Sequence, residues 1–387
     1  MTTSFFCYNH FTLYLAYTYA SFLKKELGIS STLIWRNTIF ELPKNIGAIW
    51  DDVVQIDLAS GSKSGSSGVC GSLKRITRIR RIIKDTLFSC TCFRTSSALL
   101  VFKDNGLYDT EVIRLFKRLR NGKVVLIEEG IGLYQSQTRT NSIKQVAQVL
   151  LGVPRQAHRT QGENDLVDIV ICAKPDLLQS HKKRGKIILK RSNLFSEVLV
   201  KAYVRDFLGL AQIPDEKADF LYFGQPLSED GILKDYEEIE HISDFIISLD
   251  PGTDIKVKLH PRERSSKYES IIEKHRNVSF LDSRLQSMPA EVVFKLLGSP
   301  VVVTPFSSAA VNILQMGGVT SLLLLYRMFG LSQERKSSLD ALFSDMSEYV
   351  IDSYDTLKDG FRTPPGVIEN EPSNEYFYEM EKLLEFI

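Results

Sequence analysis

The chain is short of the residues that would fix its class at once. Five cysteines (Cys7, Cys70, Cys90, Cys92 and Cys172) among 387 residues are an odd number with no repeated CxxC spacing. Cys90 and Cys92 form a lone CxC without a second pair, so reduced thiols are expected rather than a disulfide framework or a zinc finger. Histidine and cysteine show no zinc spacing. No DxD triplet occurs, which removes the usual handle for a metal-bound diphosphate. GxGxxG and GxxxxGK(S/T) are missing too, and with them the glycine cradles of dinucleotide and P-loop chemistry. Charge of one sign is also lacking: 48 Lys and Arg against 47 Asp and Glu leave +1. Nucleic acid is therefore not an expected partner. The opening MTTSFFCYNHF has neither the basic n-region nor the apolar h-region of a secretory signal. No apolar run approaches the ~18 residues that a spanning helix needs. A cytoplasmic location is expected.

What is present is a rhythm. Ser4–Tyr8, Thr32–Arg36, Val53–Leu58, Ala98–Phe102 and Val124–Glu128 read as strands, with helical patterns near His10–Leu27, Leu73–Leu87 and Thr110–Leu119 between them. That alternation predicts a parallel sheet covered by helices on both faces, with Val167–Cys172 and Lys186–Leu189 as further edge strands. A second set follows at Phe220–Gly224, Ile255–Leu259, Val278–Leu281, Val301–Thr304 and Ser321–Leu325. The chain is too long for one ordinary core, and the polar, proline-bearing Ala211–Lys217 suits a linker. The expected fold class is α/β with two tandem doubly wound domains, residues 1–212 and 213–372. An acidic amphipathic helix within 373–387 is expected to cross back onto the first.

Two segments interrupt the rhythm. The glycine- and serine-rich 60-SGSKSGSSGVCGS-72 reads as a flexible loop. Next, 74-KRITRIRRIIK-84 sets Ile76, Ile79 and Ile83 at helical spacing among Lys74, Arg75, Arg78, Arg81 and Lys84. Such a helix either packs its isoleucines on the core and solvates its basic face, or offers that face to a membrane leaflet or an acidic polymer.

Ligands of open parallel sheets bind beyond the carboxyl ends of the strands, so loop residues there carry the most weight. Four stretches stand out. In 123-KVVLIEEGIGLY-134 a core strand runs into Glu128 and Glu129. The pair is either a solvated strand end or a device in which like charge and partial burial raise one carboxyl's pKa and make it a base. Gly130 would let a substrate approach the backbone. In 255-IKVKLHPRE-263, Pro261 stops the strand and leaves His260 at its lip, either structural or a donor to a phosphate. In 301-VVVTPFSSAAVNILQMG-317, Ser307 and Ser308 open a helix, as an N-cap or as a phosphate cradle. Gly224-Gln225-Pro226 form a tight turn after the first strand of the second set.

The E-E-G, H-P and S-S stretches, in this order across two α/β halves and without DxD, resemble the motif set of the bacterial sialyltransferases and capsular polysialyltransferases. The lipooligosaccharide sialyltransferase group (glycosyltransferase family 52) is included in that likeness. The resemblance implies a GT-B fold, two Rossmann-like domains facing across a cleft. It also implies inverting, metal-independent transfer of sialic acid from CMP-sialic acid to a hydroxyl of a surface glycan, lipooligosaccharide or capsule, with no cofactor. By the same resemblance the base falls on Glu128 or Glu129, with Glu128, the first of the pair, favoured. His260 would contact the CMP phosphate and stabilise or protonate the leaving group. Pro261, Ser307 and Ser308 would lie at that phosphate, and Gly224, Gln225 and Pro226 at the nucleotide. Gly130, Arg78 and Arg81 fall on the acceptor side. The implied partners are a nucleotide-sugar donor, a glycan acceptor and, through Lys74–Lys84, the inner face of the membrane or a polyanionic acceptor. Two other readings stand beside this one: a GT-B enzyme using a UDP- or GDP-hexose, and a non-catalytic binder of anionic glycans.

Overall fold

The computed structural model describes residues 1–36, 42–57, 69–134, 149, 153–210, 216–315, 322–358 and 377–386. It falls into two compact units, Met1–Leu194 with Lys201–Leu210 and Asn374–Ile387, and Phe195–Val200 with Ala211–Ser373. The first unit is built on a seven-stranded sheet: β1 (Thr2–Cys7), β2 (Ser30–Arg36), β3 (Asp52–Ile56), β4 (Ala98–Val101), β5 (Lys123–Ile127), β6 (Ile169–Cys172) and β7 (Ile187–Lys190). Every pairing is parallel and the order is β3-β2-β1-β4-β5-β6-β7. Continuous apolar runs form the middle strands because both faces are covered. β4 and β6 are buried at every residue, and Phe5 of β1 lies opposite Leu33 on one side and Leu100 on the other.

Four helices place the site. α1 (His10–Leu27) starts in a capping box between Asn9 and Thr12 and stops at Gly28, whose φ of 63° suits a residue without Cβ. α2 (Val69–Ser89), α3 (Thr91–Thr95) and α4 (Leu107–Arg120) follow. α2 begins at Val69, inside the stretch expected to be a loop; the rest of that loop, 60–68, lies outside the described residues. Ile76, Ile79 and Ile83 are buried and Lys74, Arg75, Arg78, Arg81 and Lys84 are exposed, so this helix does turn its isoleucines to the core. Cys90 caps α3 by accepting from the Phe93 N–H at 3.2 Å, and Cys7, Cys90, Cys92 and Cys172 are free thiols. No helix among the described residues is long and apolar enough to cross a membrane.

The helix Tyr378–Phe386 belongs to the first unit, fastened by one buried carboxylate. Glu379 accepts from the Tyr19 hydroxyl at 3.0 Å, from the Ser192 N–H at 3.0 Å and from the Ser192 hydroxyl at 2.5 Å. Glu379→Ala would leave those donors without their acceptor. It is expected to cost about 2–4 kcal/mol, read as a lower midpoint of thermal unfolding. A midpoint equal to wild type would show that this anchor does not hold the helix.

The second unit repeats the plan with five parallel strands: β8 (Phe220–Phe223), β9 (Ile255–Lys258), β10 (Val278–Phe280), β11 (Val301–Thr304) and β12 (Leu322–Leu324), ordered β10-β9-β8-β11-β12. Most of the expected linker, 211–215, is not among the described residues. In each sheet the chain leaves its first strand toward one edge and later crosses to the other side. The reversal lies between β1 and β4 in the first sheet and between β8 and β11 in the second. In open parallel sheets the loops part at such points, and ligands bind there at the carboxyl ends.

Candidate active site

The two glutamates after β5 have different surroundings. Strand pairing ends at Ile127, one residue short of the expected Glu128. Glu128 is 3% exposed, and its Oε2 accepts from the Tyr134 hydroxyl at 2.7 Å and from the Ala173 N–H. Its own N–H donates to the Ile171 carbonyl, and its carbonyl accepts from Arg191 Nη1 at 3.0 Å. The side chain is thus a bracket between β5 and the loop after β6. Burial and the facing Glu128 carboxylate hold the Tyr134 hydroxyl well above its ordinary pKa, and the same two causes push the Cys172 thiol up to about 12.

Glu129 is half-buried and faces the switch point. Burial pushes its carboxyl up to about 7; the Tyr8 hydroxyl, Lys103 and Arg36 pull it down, and Asp109 raises it further. These neighbours sit just past the ends of β1 and β4, at the last residue of β2 and in the first turn of α4. The Arg36 guanidinium lies 4.9 Å from the Tyr8 ring centroid and 5.2 Å from that of Tyr108, held between two aromatic faces. Asp109 is buried, and burial lifts its carboxyl to about 6 against the pull of Arg36 and Lys103. Gly106 opens α4 at φ 87°, which favours glycine, and a Cβ there would lie 3.1 Å from Asp109 Oδ2, a tight approach. Gly130 is in extended backbone that any residue adopts. Arg78 and Arg81 stand on the exposed face of α2, and Arg81 pairs there with Asp85 at 3.5 Å; neither is among the charges that act most on Glu129. Reasoning from sequence missed Tyr8, Arg36, Lys103 and Asp109. The signal was available for the first two, which close the strands drawn as Ser4–Tyr8 and Thr32–Arg36.

In the second unit the expected residues gather at the carboxyl ends of β8, β9 and β11. A Cβ on Gly224 would come within 2.2 Å of Glu263 Oε2, so only glycine lets the two loops meet. Glu263 accepts from the His260 N–H at 2.6 Å, the Tyr268 hydroxyl at 2.8 Å and Lys267 Nζ at 2.7 Å. Lys267 is buried and also meets Glu229 at 3.2 Å and Glu238 at 2.8 Å, while donating to the Gln225 carbonyl at 3.4 Å. The Gly224-Gln225-Pro226 turn and the His260-Pro261 turn are therefore set by one buried ion cluster that the motifs did not disclose.

His260 is half-buried, and its Nδ1 accepts the Arg262 N–H at 3.2 Å. That leaves the ring proton on Nε2. Burial, with Arg262 and Lys258 nearby, pushes the imidazole down to about 4, so it is neutral at pH 7 and its Nε2–H is available as a hydrogen-bond donor. Pro261 is exposed beside it. Ser307 caps the helix Ser308–Gln315: its Oγ accepts the Ala309 N–H at 3.2 Å, and its N–H donates to Thr304 Oγ1 at 3.2 Å. The Thr304 hydroxyl donates to the Phe223 carbonyl, tying β11 to β8 across the switch point. Ser308 takes the first helical position, where backbone N–H groups lack intrahelical acceptors.

Residues 19–326 match the model of the family described as alpha-2,8-polysialyltransferase. The chain belongs to the alpha-2,8-polysialyltransferase family. No curated protein matches it in sequence. The GT-B domain of a sialyltransferase from Photobacterium damselae shares 13% identity and a TM-score of 0.50, covering 92% of this chain and 99% of that one. A putative UDP-N-acetylglucosamine 2-epimerase from Listeria monocytogenes shares 12% identity and a TM-score of 0.50, covering 99% and 94%. At such identities the likeness speaks for fold, and the fold is GT-B. The resemblance to bacterial sialyl- and polysialyltransferases drawn from E-E-G, H-P and S-S is borne out. As a polysialyltransferase-family member the protein is a sialyltransferase-type glycosyltransferase, which implies a nucleotide-sugar donor and a glycan acceptor.

Proposed function

We propose that this polysialyltransferase-family protein transfers sialic acid from CMP-sialic acid to a glycan hydroxyl by a single inverting displacement that needs no metal. The observation that carries the reading is the contrast between the two glutamates. Glu128 is tied on its carboxylate and on both backbone groups, whereas Glu129 sits at the switch point with its carboxyl lifted to about 7. The base is therefore assigned to Glu129 rather than to Glu128, which motif order favoured. A carboxylate of that basicity accepts a hydroxyl proton near neutral pH. As the acceptor O–H gives its proton to Glu129, its oxygen bonds to the anomeric carbon and the bond from that carbon to the phosphate oxygen breaks. CMP then leaves as a phosphate monoester. In the second unit His260 Nε2–H and the helix start at Ser307 and Ser308 would stabilise the charge that grows on the phosphate. Gly224, Gln225 and Pro226 would border the nucleotide.

The test is release of CMP from CMP-sialic acid by the purified protein, with and without a chelator, against UDP- and GDP-hexoses in parallel. Release of CMP unaffected by chelator is expected, falling about 10²-fold or more in His260→Ala through loss of a preorganised donor. Turnover of a UDP- or GDP-hexose alone would overturn the donor assignment. The exposed basic row of α2 supports contact with a polyanionic acceptor or the inner membrane surface, and a cytoplasmic location is part of this proposal.

A further inference from the structure

Cations around the second unit's site are nearly all accounted for. Arg262 meets Asp230 at 2.5 and 3.0 Å, and Arg264 meets Asp235 at 2.8 Å. Lys267 lies among three carboxylates, and Lys258 donates to the Gln286 carbonyl at 2.9 Å. Arg335 differs. It lies at the start of the helix Gln333–Leu342, where Ser332 Oγ accepts its backbone N–H, and its side chain is half-buried. Among the described residues its guanidinium has no ion pair and no hydrogen bond; it rests 5.3 Å from the centroid of Phe306. Phe306 is the residue before Ser307, at the carboxyl end of β11. Asp230, whose oxygens are taken up by Arg262, faces both Arg335 and His260. A guanidinium is a rigid planar fork of N–H donors, the geometry that grips an oxyanion with two bonds, and this one has its centre over the ring of Phe306. Asp230 acts on Arg335 only across a distance while its oxygens hold Arg262, so part of the cost of desolvating Arg335 is left to be recovered when an anion arrives.

We infer that Arg335 binds an oxyanion of the donor, its phosphate or the carboxylate of its sugar, and so selects for anionic donors at the β8–β11 switch point. The inference deepens the donor reading above and rests on it. Arg335 lies beyond the residues 19–326 that match the family model.

The experiment is calorimetric titration of the full chain, wild type, Arg335→Ala and Arg335→Lys, with cytidine, CMP, CMP-sialic acid, UDP and GDP. Wild type is expected to bind CMP and CMP-sialic acid. Arg335→Ala should weaken CMP-sialic acid by about 10- to 100-fold, the range of a charge-assisted pair, while cytidine is unchanged. Equal loss for CMP and CMP-sialic acid assigns the contact to the phosphate; loss for CMP-sialic acid alone assigns it to the carboxylate. Arg335→Lys should recover part of the loss, because the charge remains and the fork does not. Should wild type bind UDP or GDP instead, the cytidine donor falls while the arginine is still judged on the nucleotide that binds. Unchanged affinity in Arg335→Ala, with an unfolding midpoint equal to wild type, overturns the inference. Binding of no nucleotide by wild type overturns both.

Discussion

Glu129→Gln should lower sialyl transfer by about 10²- to 10⁴-fold, the usual worth of a positioned base, with little change in stability. Glu128→Ala should do the reverse in kind. The Tyr134 hydroxyl and the Ala173 N–H lose their acceptor in the interior, and unfolding free energy falls by roughly 2–5 kcal/mol. Measuring kcat and the unfolding midpoint for both variants separates a reacting carboxylate from a structural one. The pH profile adds a sign. The base must be ionised to accept a proton, and its carboxyl is held at about 7, so kcat should rise with pH through about 7 and level off above it. Asp109 is a like charge that raises Glu129, so Asp109→Asn should move that rise to lower pH. Lys103 acts in the opposite sense, and Lys103→Met should move it to higher pH. A Glu129→Gln enzyme that keeps wild-type kcat would remove this residue from the chemistry.

Lys267→Met should cost the second unit about 3–5 kcal/mol, the penalty for leaving buried charge without its counter-charge. The methionine fills similar volume, so packing loss is small and the effect is electrostatic. Glu229, Glu238 and Glu263 would then face one another with no ammonium between them. Uncompensated and buried, they would bind protons more tightly in the folded state than in the unfolded chain, so the deficit should narrow as pH falls. Nucleotide affinity should drop too, because Glu263 holds the His260 N–H and abuts Gly224. Chemical unfolding of the two proteins at pH 7.5 and 5.5 decides the matter (~2 pH units span most carboxylate titration). A variant as stable as wild type at both would show that the cluster is indifferent to its lysine.

The strands were legible because the middle of each sheet is buried on both faces and so written in unbroken apolar runs. Ala98–Val101 and Ile169–Cys172 are entirely buried, and both fall within expected strands. Helix α1 was found at both ends, since Asn9 and Gly28 mark its limits by chemistry local to the chain. What the sequence hid depends on distant partners. Strand alternation separates Glu128 from Glu129 but does not say that one will meet Ala173 and the other Tyr8 and Asp109. Charged residues read as solvent-facing unless paired, so buried Lys267 and Glu238 gave no sign of themselves. Arg335 belongs to no motif, and its meaning comes only from Phe306 lying beneath it.

The buried Glu379 also sets an order of events during synthesis. Ser192, which donates to it, leaves the ribosome 187 residues earlier. At about 5–20 residues per second, roughly 10–40 s pass before the acceptor arrives. For that interval the pocket for the last helix stays open, with the Tyr19 hydroxyl and the Ser192 N–H left to water. The unit that is made first is thus completed after the whole of its neighbour has been translated, and a nascent chain halted before Glu379 would carry that open pocket as a site for a chaperone or a protease.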